Sequence, residues 1–231
     1  MVPCTSDKQQ LSRLLQIAST LLPVGAYSYS QGLEWAIESG DVSDLESAKS
    51  WIFDLLQTYY VNYELPVLLE LYEAWSENDF AKILYWDRQF KASRDSSESL
   101  SETLQTGYSL RRLICDLGGF PEEFLEHILQ IEDPSFPTVY AGLCFIWDIR
   151  AEDMLHAYAW SWAENQVSAA MKSVPLGQVA GQKILMFIGA KLSGVIESAI
   201  ALPIADLSNS MPAWSIFSSR HETQYSRLFR S

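Results

Sequence analysis

The sequence predicts an all-α protein, a single-domain helical bundle of roughly eight to ten helices, on three observations. Apolar residues recur at helical spacing along most of the 231 residues. No alternating run of β-branched residues is long enough to demand a strand, and no repeat of fixed period is present. A hydrophobic content of 48%, with eight Trp, eleven Tyr and ten Phe, supplies one sizeable core, which a disordered composition lacks.

The elements follow in order. Leu11, Leu14, Leu15, Ala18 and Leu22 share a helical face behind the caps Ser6 and Asp7, so a first helix runs up to Pro23. A loop over 23–32 leads into a short helix, 33–39, stopped by Gly40. Ser43 and Glu46 form a capping box that opens a long helix through Trp51, Leu55 and Tyr59, and Pro66 is expected to divide it from the next. Residues 79–93 and 97–117 are periodic and rich in helix formers, the second closed by Gly118 and Gly119. Pro121 opens a helix over 122–131, and residues 133–137 turn into another.

From 151 to 173, Leu155, Tyr158, Ala159, Trp162, Gln166 and Ala170 form a core side, and Ser161, Glu164, Asn165, Ser168 and Lys172 a free one. Residues 178–201 are apolar nearly all round from Ile184, which marks a central helix, with Gly181, Gly189 and Gly194 permitting close approach by neighbours. Residues 208–212 have linker chemistry. The expected organisation is an all-helical domain over 1–207, then a linker and a C-terminal partner-docking tail over 208–231.

Sixteen basic against twenty-nine acidic residues give a formal charge of −13, which argues against nucleic acid and anionic membranes and for basic partners. Cys4, Cys115 and Cys144 are too few and too widely spaced for a disulfide framework or a zinc knuckle, and fit a reducing cytoplasm. Cys115 and Cys144 read as small buried hydrophobes. The N-terminus lacks the basic region and unbroken apolar run of a signal peptide. The apolar stretch 184–204, broken by Lys191 and Glu197, reads as a buried helix and not as a membrane span.

Motifs for chemistry are missing. No G-x-x-x-x-G-K-[ST] is present to wrap phosphates in backbone N–H groups, and no G-x-G-x-x-G follows a strand. No G-x-S-x-G or S-x-x-K supplies an activated serine. His127, His156 and His221 lie far apart and close no H-x-x-x-H or E-x-x-H ladder, so no cofactor or metal site of its own is expected. His156 reads as a packed structural residue.

Three segments are left that core periodicity does not explain. Residues 23–34 string Gly25, Tyr27, Ser28, Tyr29, Ser30, Gln31, Gly32 and Glu34 between helices, either as a capped loop with its tyrosines packed or as a binding loop. Residues 164–182 carry a polar stripe to a helix junction, as a solvated face or a partner surface. Residues 220–231 hold three arginines against one glutamate, a charge of +2 against −15 for the rest, with Tyr225, Leu228 and Phe229 at i, i+3, i+4. Such a segment either folds back on its acidic body or stays mobile as a docking peptide, and the apolar stripe favours the second.

The Pro-Val-Gly-x-Tyr-Ser-Tyr-Ser-Gln-Gly-Leu-Glu run at 23–34, Glu164-Asn165, the Lys-Ser-Val-Pro-Leu-Gly-Gln run at 172–178 and the tail resemble the UreF family of urease accessory proteins in order and position. The likeness spans nearly the whole chain, although residues 76–137 carry no matching motif. It implies a non-enzymatic, cytoplasmic homodimer that bridges UreD (UreH in some organisms) and the GTPase UreG so that nickel reaches apo-urease. Partner contacts are then expected at Tyr27, Ser28, Gln31 and Glu34; at Glu164, Asn165, Lys172, Pro175, Gln178 and Gln182; and at Arg220, His221, Tyr225, Arg227, Leu228, Phe229 and Arg230. The competing readings are an all-α interaction or regulatory domain unrelated to urease, and an all-α enzyme with a pocket of scattered residues.

Overall fold

A computed structural model of the chain describes residues 7–231, so the expected cap Ser6 and the thiol of Cys4 lie outside the described residues. Among those residues every regular element is helical. The α-helices are α1 (Asp7–Ala18), α2 (Leu33–Glu38), α3 (Leu45–Leu55), α4 (Leu65–Ser76), α5 (Phe80–Ala92), α6 (Ser97–Leu117), α7 (Glu122–Gln130), α8 (Phe136–Ile146), α9 (Ala151–Ser173), α10 (Gln178–Ala201) and α11 (Pro212–His221).

Pro66 does not divide its helix. A π-helical stretch, Leu56–Glu64, joins α3 to α4 as one rod, with the Leu65 N–H donating to the Tyr60 carbonyl five residues back. Pro66 thus lies inside a continuous rod, and the Asn62 carbonyl that its missing N–H leaves without a helical partner accepts from the Ser208 N–H at 3.0 Å. The wider turn also sets Tyr59, Tyr60, Tyr63 and Glu64 facing the core together. The cap of α3 is one residue later than expected: Asp44 accepts from the Ser47 N–H at 2.8 Å, while the Ser43 N–H is a donor to the Ser47 hydroxyl. Both pairings are available to the sequence, and a carboxylate is the stronger acceptor for a charge-assisted bond.

The central helix is α8, not α10. Residues 137–144 are buried without a break, because α4, α5, α6 and α9 surround them. In α10 the face formed by Ile184, Leu185, Ile188, Leu192, Val195, Ile196 and Ala199 is buried against neighbours that include α9 and α4. Its opposite face is open, with Val179 and Met186 70% and 75% exposed. Hydropathy summed along the helix does not separate inward Ile and Leu from outward Gly, Ala and Met. α10 is the one described helix long and apolar enough to cross a membrane. Of its glycines, Gly181 meets Met171 and Val167 closely, whereas Gly189 makes only ordinary contact and Gly194 faces open space. Cys144 is buried, which pushes its thiol pKa up, but Cys115 is exposed.

The last twenty-four residues are part of the same packed body. The linker is tied down by Ser208 N–H to the Asn62 carbonyl (3.0 Å) and by Asn209 Nδ2 to the Ser93 carbonyl (3.1 Å). Helix α11 then buries Trp214, Ser218 and His221, and beyond it Phe229 and Ser231 are buried too. The expected mobility of the tail is thus replaced by the folded-back arrangement.

Candidate partner-docking site

The loop at 23–34 is shaped by two left-handed turns. Gly25 has φ 80°, and Gln31 and Gly32 follow one another at φ 54° and 82°. At Gly32 a side chain would also press on the backbone of Phe217 and Ser218 in α11, so the loop and the terminal helix approach as closely as a glycine allows. Asn165 of α9 holds the loop from the other side, donating from Nδ2 to the carbonyls of Ala26 (3.1 Å) and Tyr29 (3.0 Å). Gln31 is pinned at three points. Its Oε1 accepts from Trp162 Nε1 (2.7 Å), its carbonyl accepts from Trp214 Nε1 (2.7 Å), and its Nε2 donates to Glu102 Oε1 (2.9 Å).

The tail lies along this loop. The Arg230 N–H donates to the Ser28 carbonyl at 2.7 Å, and a main-chain oxygen of Ser231 accepts from the N–H groups of Ser30 (2.7 Å) and Gln31 (3.0 Å). Glu34, at the start of α2, accepts from the Leu228 N–H at 2.6 Å and the Phe229 N–H at 3.0 Å. The His221 ring lies between two carboxylates, 3.1 Å from Glu34 and 2.7 Å from Glu98 of α6. Donating to both requires both ring nitrogens to carry protons. Arg227 completes the cluster on Glu98 at 2.6 Å, and the ammonium of Lys172 sits 5.5 Å from the Phe229 ring centre.

Burial pushes the Tyr29 hydroxyl pKa up, and its hydroxyl donates to Gln105 at 2.6 Å. Burial also raises Glu102, to about 7. Partial burial raises Glu164, whereas bonds from Ser97 lower Glu222.

Of the residues expected at partner contacts, Ser28, Gln31, Glu34, Asn165, Lys172, His221, Arg227, Leu228, Phe229 and Arg230 are brought into this one assembly. Within it Glu34, His221 and Phe229 are buried, so they hold its shape and leave its face to others. Exposed in the same segments are Tyr27 (64%), Leu228 (73%) and, fully, Tyr225, together with Arg220, Arg227, Arg230 and Lys172. Pro175, Gln178 and Gln182 are exposed at the α9–α10 junction, outside the hydrogen-bonded cluster, and Glu164 is half-buried on α9. Sequence reasoning missed Glu98, Glu102 and Gln105 of α6, which receive the tail and the loop. Their signal was an acidic and amide stripe at i, i+4, i+7 on one helix face.

A family model described as UreF matches residues 42–188. The chain is 52% identical over 226 residues to the urease accessory protein UreF of Methylobacillus flagellatus, covering 98% of this chain and all of that protein. The chain belongs to the UreF family. UreF proteins of Azoarcus sp. and Dechloromonas aromatica are 47% and 48% identical over 223 residues, in each case 96% of this chain, and 95% and 98% of theirs. Loop and tail both fall outside the residues that the UreF family model matches.

Proposed function

We propose that this UreF-family chain is a non-enzymatic adaptor in urease maturation, bridging UreD (or UreH) and the GTPase UreG so that nickel is delivered to apo-urease. The supporting observation is the joining of loop, α9 and tail, three segments remote in sequence, into one hydrogen-bonded surface. A surface fixed in advance binds without the ordering cost that a mobile tail would carry. Its exposed Tyr225 and Leu228 among arginines have the aromatic and cationic character of binding hot spots. In this reading the tail at 208–231 is the UreD contact, and the polar residues from Lys172 to Gln182 form the UreG contact.

The protein acts as a homodimer in the cytoplasm, and holding two partners at once raises their effective concentration for each other. The free thiols of Cys115 and Cys144 agree with a reducing compartment. Co-purification tests the assignment. Tyr225→Ala with Leu228→Ala is expected to lose UreD while keeping UreG, and Lys172→Glu to weaken UreG while keeping UreD. Unchanged capture of both partners by both variants would contradict it.

A further inference from the structure

Behind the loop lies a cavity of about 130 Å³. Its walls are aromatic: Tyr60 and Trp162 face each other with ring centres 4.4 Å apart, and Tyr158 lies 6.0 Å from Phe136 and 5.3 Å from Tyr140. Glu64 and Glu102 also line it, with Arg94 as the cation on its wall. Arg94 is already committed, at 3.3 Å to Glu64 and to the Tyr59 hydroxyl, while Glu64 accepts in addition from Tyr158 at 2.7 Å. The carboxylate of Glu102 therefore faces the cavity without a cation bonded to it; its partners are Gln31 and, at 3.4 Å, the Ser231 hydroxyl. Tyr140 is 1% exposed, and its hydroxyl has no partner among the described residues.

We propose that this cavity is a binding site for a small primary alkylammonium ion. π-Faces and a carboxylate recognise an organic cation, and the arrangement already holds one, since the Arg94 guanidinium stacks 3.9 Å from the Phe90 ring centre. The ammonium N–H groups are donors to Glu102 and to the unpartnered Tyr140 oxygen, and the alkyl chain lies against the rings. An anion is opposed by Glu64 and Glu102. No group of three His, Cys, Asp or Glu that could hold a metal ion is found among the described residues. A space of this volume is a little below the ~150 Å³ of a cavity that admits benzene, which leaves room for a short alkyl chain such as that of propylammonium. Exposed Thr20 and Tyr27 line its outer lip.

Titration calorimetry of the full chain with propylammonium chloride, at fixed ionic strength and pH 8, tests the proposal. Saturable one-to-one binding is expected, with none for sodium chloride or sodium propionate. Affinity should fall by about tenfold from pH 8 to pH 6, as Glu102 takes up a proton; the groups facing it are Tyr29 and Gln31 on the loop, Tyr60 and Glu64 on the π-helical stretch, Arg94 before α6 and Ser231 on the tail. Glu102→Gln should lose binding at least tenfold, and Tyr140→Phe, which preserves the packing, several-fold. A cavity that holds only water gives no saturable heat with any of the three salts, and that result overturns the proposal. Equal binding of propionate, or full affinity in both variants, overturns it as well.

Discussion

The Nε2 atom of His221, in the last turn of α11, lies 3.1 Å from a carboxylate oxygen of Glu34 at the start of α2, although 187 residues separate them. Glu34 also receives two backbone N–H groups of the tail, so one side chain joins the loop, the terminal helix and the terminal strap. Removing it leaves the buried imidazole with Glu98 alone and takes the acceptor from the Leu228 and Phe229 N–H groups. Glu34→Ala and His221→Ala should each cost about 3 kcal/mol, read from the urea midpoint at constant slope. A loss under ~0.5 kcal/mol in both would show that the clasp is absent in solution.

Deleting residues 220–231 should lower the melting temperature, because Phe229 and His221 leave the core with the strap. A loss of about 3 kcal/mol corresponds to roughly 6–12 °C in a chain of this size. Calorimetry showing an unchanged transition would restore the mobile tail that composition suggests.

Gly32→Ala should destabilise by about 1–3 kcal/mol, since the backbone at φ 82° and the contact with Phe217 both oppose a side chain. The same variant should loosen the strap, seen as faster amide exchange at Leu228 and Phe229. Wild-type exchange there would mean that loop and strap are not coupled.

Glu102 gives a pH dependence of definite sign. Its folded pKa, about 7, is above its ordinary value of 4.5, so the folded state holds the proton more tightly. This contribution favours folding below pH 4.5 and is lost as pH rises to about 7 and beyond. Glu102→Gln should therefore gain stability relative to the native chain as pH rises from 5 to 8. A difference that stays flat over that range would place Glu102 in contact with water.

The fold was legible where pattern and caps agree. Helices α6, α9 and α10 have the bounds their periodicity predicts, and the helix expected over 79–93 is α5, with Asp79 as its cap. Legibility failed where tertiary partners decide. Pro66 looks like a helix breaker until a π turn accommodates it, and α10 looks central until Val179 and Met186 are found facing outward. Helix α11 went unseen because its ten residues have little amphipathic pattern and are secured by Trp214, Ser218 and His221, whose partners lie elsewhere in the chain. The loop and tail were identified as special from their residues. That they meet was not readable, because they are joined by backbone pairs between Ser28, Ser30 and Gln31 and the tail, and by carboxylates on α2 and α6, all of which depend on tertiary approach.

Multi-angle light scattering on mixtures of this chain with UreD and UreG tests the adaptor role most directly. The account predicts that UreD and UreG elute together only when this chain is present, at a mass containing two copies of it. Co-elution of UreD with UreG in its absence, or separate elution of the two in its presence, would contradict the bridging role.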